Sequence, residues 1–184
     1  MGGAVTLKYI IKSAEFVKQF NVKGIILLSP MCAIDERLKP NPLMIKLLLG
    51  ISYILPNLQL ELTTKKIDSE TTTNNEFIKA KNTCLYSFKG PLRLCTVREL
   101  FNVSLEIPEQ VDKITIPLIL FHGLKDKVTT PIGSKIVFDK IKSTDKELVI
   151  LSESEHCVLI PKNPDDLTPN YVYAKILSWL EART

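Results

Sequence analysis

The chain has 184 residues, 45% of them hydrophobic and 24% charged, which excludes a disordered polypeptide and a membrane channel and allows one domain with a sizeable core. Its net charge of +4 comes from 24 Lys and Arg against 20 Asp and Glu, scattered along the sequence, so no basic patch calls for nucleic acid. Two histidines cannot build a His-rich cage, and Cys32, Cys84, Cys95 and Cys157 form no C-x-x-C pair, so neither metal nor cofactor is expected.

Taken in chain order, Ala4, Leu7, Ile10, Ile11, Ala14 and Val17 recur at helical spacing and predict a helix with one buried face. Gly24-Ile25-Ile26-Leu27-Leu28-Ser29-Pro30 reads as a short apolar strand stopped by proline and buried on both faces, as in a parallel sheet. Pro40, Pro42 and Pro56 then bracket Leu43 to Leu55, a run apolar nearly all round and broken mainly by Lys46. A helix of that length is about 20 Å long, too short for a hydrocarbon core of about 30 Å. It reads either as a buried helix or as a lid helix that meets acyl chains or a membrane surface. Thr63 to Glu76, rich in Thr, Asn and Lys, reads as a surface loop. Ile116 to Phe121 is a second apolar strand ending at His122-Gly123, with a helix from Pro131 to Ile141 after it. Glu147 to Leu151 is a third strand, a loop holds His156, and Tyr171 to Leu180, with Trp179, closes the chain as a helix. Alternating helices and buried strands predict an α/β architecture with a largely parallel sheet. The cysteines read as buried or half-buried thiols of an intracellular, cytoplasmic protein, and the sequon Asn102-Val103-Ser104 as chance.

The candidate chemistry sits at strand ends, where α/β proteins gather functional groups. Asp126 follows the second strand and His156 the third, so adjacent strand ends can bring a carboxylate to an imidazole. Such a carboxylate fixes the imidazole tautomer and stabilises the imidazolium formed when it takes a proton from a nucleophile. Singly, Asp126 also reads as a turn or capping carboxylate and His156 as an exposed loop histidine. No nucleophile is evident: the sequence has no Gly-x-Ser-x-Gly, and Gly50-Ile51-Ser52-Tyr53-Ile54 imitates it poorly inside an apolar helix. Cys157 adjoins His156, but neighbouring side chains on a loop rarely point at each other. Met1-Gly2-Gly3-Ala4 leads directly into a helix, and paired glycines suit a tight strand-to-helix crossing. A nucleophile elbow places its serine immediately before such a helix.

These residues resemble the monoacylglycerol lipase and lysophospholipase-like α/β-hydrolases, especially the plant-type branch that includes caffeoylshikimate esterase. In that family the elbow commonly reads Gly-His-Ser-Met-Gly-Gly, and this chain begins at the Met. Further matches are Leu28-Ser29-Pro30-Met31-Cys32, the pattern Tyr86…Pro91…Arg93…Thr96…Glu99-Leu100, and His122-Gly123-x-x-Asp126-x-Val128-Thr129-x-Pro131. Ser134-Lys135, Asp145-Lys146 and Leu177-Ser178-Trp179-Leu180 also fit, whereas Ile160-Pro161-Lys162-Asn163-Pro164 departs from the family's Gly-Glu-Pro run. The resemblance implies the C-terminal part of an α/β-hydrolase sheet with an inserted, mainly helical cap. Residues 1–30 would follow the elbow, 31–112 form the cap, and 113–184 carry the acid and base.

By the same resemblance Asp126 is the triad acid, His156 the base, and the Met1 backbone N–H an oxyanion donor in a complete enzyme. Leu47, Leu48 and Ile51 of the cap would meet the substrate, a small lipid or related ester, with peripheral membrane contact through the cap a further expectation. A chain lacking the serine is expected to be inactive alone. The missing amino-terminal strands would also leave Gly24–Ser29 as an apolar edge, which predicts aggregation or a molten state. An alternative comes from Met1-Gly2-x-x-x-Thr6, which matches the N-myristoylation pattern. It describes a lipidated, catalytically dead homologue acting as a binding or regulatory module.

Overall fold

A computed structural model describes residues 1–32, 41–59, 70–88 and 90–183, apart from the side chains of Ala14 and Phe16. Three parallel strands form its sheet in the order β1 (Ile25–Leu28), β2 (Leu118–Gly123), β3 (Lys146–Leu151). In β2 every residue is buried, because its alternating side chains feed two separate apolar clusters. Leu118 and Leu120 pack with Ala4, Leu7, Ile107 and Val137 on one face. Ile119 and Phe121 pack with Val158, Val172 and Trp179 on the other. The apolar run of β1 is buried on one face only: Ile25 and Leu27 are buried, Ile26 and Leu28 half-buried. Its side away from β2 carries no strand among the described residues, which is why the expected two-sided burial falls to β2 instead.

The first predicted helix is two helices. In α1 (Gly2–Lys12) Ala4 and Leu7 face the core, and Ser13 breaks the helix at φ −124° before α2 (Ala14–Gln19). The paired-glycine argument holds at Gly3, where a Cβ would lie 2.6 Å from Pro30 Cβ, and fails at Gly2, which faces open space. Gly24 is likewise obligatory, since a Cβ there would lie 2.5 Å from the Trp179 ring.

Between β1 and β2 lies a mainly helical insert. In α3 (Pro42–Ile54) Asn41 caps the first turn by accepting the Leu43 N–H at 2.9 Å, with Pro42 at the first helical position. The buried-helix reading of this run does not hold: only Ser52 is buried, while Leu43 is 76% and Ile54 80% exposed. The helix packs against α5 (Leu94–Gln110), where Arg98 donates to the Ser52 carbonyl at 3.2 Å and stacks over the Tyr53 ring at 4.4 Å. Of the run expected as a surface loop, residues 63–69 lie outside the described residues. Thr72 is buried, and Asn74 caps α4 (Asn75–Thr83) by accepting the Phe77 N–H. Helix α5 was not anticipated by the hydrophobic pattern; its Pro108 falls in the last turn.

Helices α6 (Pro131–Lys140) and α7 (Thr168–Glu181) flank β3 in sequence as expected. All four cysteines are free; Cys32 is buried, Cys95 and Cys157 half-buried, but Cys84 is exposed beyond the end of α4 rather than buried. Among the described residues no helix is long and apolar enough to cross a membrane.

Candidate active site

Strand β2 reaches two residues further than its apolar run suggests, because His122 pairs with Ile150 and Gly123 with Leu151. Gly123 permits this: a Cβ would overlap the carbonyl oxygens of Ser154 and Glu155. Tight backbone bonds then fix the loop leaving β2, from Leu124 N–H to Leu151 O at 2.8 Å and from Lys125 N–H to Ser154 O at 2.9 Å. The two loops that follow β2 and β3 are thereby clamped side by side, carrying Asp126 on one and His156 on the other.

Asp126 and His156 meet: Asp126 Oδ2 lies 2.8 Å from His156 Nδ1. The carboxylate is buried and fully bonded. Its Oδ1 accepts the Val128 and Thr129 N–H groups at 2.8 and 2.9 Å, and Oδ2 also accepts the Thr129 hydroxyl at 2.8 Å. Burial alone pushes this carboxyl up. The hydrogen bonds from His122 and His156, the His156 charge and the Thr129 N–H outweigh it and hold Asp126 well below the usual carboxylate range. An ionised Asp126 fixes the His156 proton on Nδ1, which leaves Nε2 free to take a proton from a nucleophile. The His156 side chain is 22% exposed, open enough for such a group to approach.

The insert holds the His156 loop from the other side. Thr73 N–H donates to Glu155 Oε2 at 2.7 Å, Cys157 N–H to Thr71 O at 3.3 Å, and Asn74 Nδ2 to Pro161 O at 2.6 Å. The first two bonds flank His156, and the third falls at Pro161, in the Ile160–Pro164 run that departs from the family pattern. Burial, with Asp126 second, pushes the Cys157 thiol up, which leaves it a poor nucleophile despite its position beside His156.

Two residues that the sequence carried only as part of the family motif, with no role assigned, belong to the site. Thr129 caps the carboxylate through both its N–H and its hydroxyl, and His122 is fully buried with Nε2 at 3.1 Å from Asp126 Oδ2. The signals available in the sequence were the shared motif His122-Gly123-x-x-Asp126-x-Val128-Thr129 and the i,i+4 spacing of His122 and Asp126.

Among the described residues, Met1, Leu47, Leu48 and Ile51 make no hydrogen bond to this pair. Met1 opens α1, with its carbonyl accepting the Ala4 N–H at 2.9 Å. It stands at one end of a mostly apolar groove of about 600 Å³ between α1 and α5, lined among others by Ala4, Val5, Met31, Leu100 and Val103. Leu47, Leu48 and Ile51 are on α3 outside that groove, Leu47 62% exposed and the other two half-buried. Among the described residues no His, Cys, Asp or Glu cluster suits a metal ion.

The comparisons agree on a family. The family described as Serine aminopeptidase, S33 (Hydrolase_4) matches residues 1–163. The chain is 27% identical over 183 residues to caffeoylshikimate esterase of Arabidopsis thaliana, covering 100% of this chain and 53% of that protein. It is 27% identical over 187 residues to monoglyceride lipase of Homo sapiens, covering 100% and 57%. The fold is shared with monoacylglycerol lipase of Paleococcus ferrophilus, with a TM-score of 0.80 at 19% identity over 99% of this chain and 65% of that one. It is also shared with a soluble variant of monoglyceride lipase from Saccharomyces cerevisiae, with a TM-score of 0.79 at 16% identity over 99% and 62%. The chain thus spans about half the length of the curated relatives it matches. With its parallel sheet and helical insert it has the α/β-hydrolase fold, and it belongs to the Hydrolase_4 family.

Proposed function

We propose that Asp126 and His156 are the acid and base of a Ser-Asp-His triad that hydrolyses a small carboxylic ester of the acylglycerol type. The single observation that carries this reading is the 2.8 Å bond between a buried, ionised carboxylate and a half-exposed imidazole at adjacent strand ends. The names of the lipase and esterase relatives support the substrate class. In the reaction His156 Nε2 takes the serine proton as the serine oxygen attacks the ester carbonyl. His156 then returns that proton to the departing alcohol, and water repeats the cycle on the acyl-enzyme. The backbone N–H following the serine, at Met1 in this numbering, donates to the developing oxyanion.

Residues 31–112 act as a cap over the site, between residues 1–30 and 113–184. Two features support this: the hydrogen bonds from Thr71, Thr73 and Asn74 onto the His156 loop, and the groove running from Met1 under α5. Leu47, Leu48 and Ile51 of α3 meet the acyl chain. The exposed Leu43, Tyr53 and Ile54 give the same helix an apolar face toward a membrane surface.

Because the sequence contains no Gly-x-Ser-x-Gly, the 184-residue chain alone does not turn over esters. Loss of the nucleophile costs roughly six powers of ten in kcat in a serine protease. Purified chain is assayed with a p-nitrophenyl ester and a monoacylglycerol, and no turnover is the expected result. Turnover that disappears in His156→Ala would refute the assignment of the nucleophile to a position outside this chain. Reading the in-frame codons before Met1 provides the complementary test: Gly-x-Ser is expected there, and a stop codon would overturn the elbow.

A further inference from the structure

We propose that His122 is a positioning residue: an imidazole carrying its proton on Nε2 that ties the Asp126 carboxylate to strand β2. This rests on the reading of Asp126 and His156 as acid and base, and it deepens that reading by assigning the second histidine of the chain.

The tautomer follows from what surrounds the ring. His122 is fully buried, and its Nε2 lies 3.1 Å from Asp126 Oδ2 and 3.1 Å from the Thr129 carbonyl oxygen. A carbonyl oxygen and an ionised carboxylate only accept, so a lone pair on Nε2 would face two others, and Nε2 carries the hydrogen. At the opposite corner Nδ1 lies 2.7 Å from Ser134 Oγ, a hydroxyl able to donate to it. Behind Ser134, the Cys32 sulfur lies 3.9 Å from the same oxygen, and burial pushes that thiol up to about 12. Cys32 therefore stays a neutral thiol behind Ser134. A hydrogen-bonded chain results, running from Ser134 on α6 through His122 on β2 to Asp126.

The other bonds to Asp126 show why this one differs. The N–H groups of Val128 and Thr129 and the Thr129 hydroxyl all belong to the turn that Asp126 itself begins, so they fix the carboxylate only within its own loop. His122 is the contact that comes from the sheet. It approaches Oδ2, the same oxygen that binds His156 Nδ1 at 2.8 Å, and so holds that oxygen in register with the strand ends.

The test uses the full 184-residue chain, uniformly labelled with ¹⁵N. It has two histidines, so every imidazole signal belongs to His122 or His156. Long-range ¹H–¹⁵N correlations are expected to show His122 protonated on Nε2, and a proton spectrum to show the His156 Nδ1–H far downfield and protected by its bond to Asp126. In His122→Phe, which keeps volume but removes the donor, the downfield signal is expected to be lost to exchange with water. His122→Gln, whose amide can donate near the Nε2 position, is expected to restore it. A His122 proton found on Nδ1, or a folded His122→Phe chain with the downfield signal unchanged, overturns the proposal. The tautomer measurement on the unaltered chain stands even if neither variant folds. Absence of the downfield signal from the unaltered chain would instead count against the acid–base reading of Asp126 and His156, with the His122 tautomer still deciding this proposal.

Discussion

Gly123→Ala is the substitution that most directly tests how the site is assembled. A methyl group at Gly123 would overlap the Ser154 and Glu155 carbonyl oxygens and lie 2.7 Å from the Ser154 carbonyl carbon. Since carbon atoms rest about 3.5–4.0 Å apart, the loop before His156 must retreat by roughly 1 Å. The obstacle is backbone, so no rotamer change relieves it. The retreat strains the Lys125 N–H to Ser154 O bond, which lies between the overlap and the Asp126–His156 contact. Overpacking of this kind costs about 1–3 kcal/mol and a weakened hydrogen bond about 1 kcal/mol, together about 2–4 kcal/mol. For a chain of this size that corresponds to a fall in Tm of roughly 5–15 °C. Thermal unfolding followed by circular dichroism at low protein concentration reads the difference. Gly50→Ala serves as the control, because a Cβ at Gly50 in α3 meets nothing within 4 Å. It should stabilise by about 0.5–1 kcal/mol, as alanine does over glycine inside a helix. A Tm for Gly123→Ala within about 2 °C of the unaltered chain would refute the claim that this glycine is what allows the two loops to meet.

Other outcomes follow from the same geometry. The depressed carboxyl of Asp126 contributes stability that is present above the unfolded value of about 3.9 and lost as pH falls through the folded value. Asp126→Asn should therefore be less stable than the unaltered chain at pH 7 in urea, with the gap narrowing in acid; a gap independent of pH would contradict this. Along β1 the N–H groups of Ile25 and Ser29 point to β2, so that of Ile26 points to the open side. Light scattering should reveal concentration-dependent association through that edge, reduced in Ile26→Pro, and equal association in both would exclude the edge as its cause. Removal of the Arg98 guanidinium in Arg98→Ala takes away the link to Ser52 and the stacking on Tyr53, the latter worth about 0.5–1 kcal/mol at exposed sites. Limited proteolysis should then cut at α3 sooner, and an unchanged cleavage rate would show that apolar packing on α5 suffices.

Sequence by itself determined the three strands and several of the helices. Short apolar runs named β1, β2 and β3, the first two bounded by glycine and proline, and the bracketing Pro42 and Pro56 put α3 within a residue of where it lies. Such signals survive because capping, proline placement and burial of a strand act over a few residues. The same local reading brought out Asp126 and His156, each at a strand end, and left both open to ordinary roles. Only the tertiary structure decided that they meet, since a 2.8 Å bond across 30 residues depends on β2 and β3 being neighbours in register. It also decided that α3 lies open to solvent, that Thr72 is buried within an apparently polar loop, and that α5 forms despite Pro108. His122 shows the limit most clearly. Read along the chain it ended a strand and opened a shared motif with no role assigned; folded, it is enclosed between Ser134, Thr129 and Asp126, and only that enclosure fixes which nitrogen holds the proton.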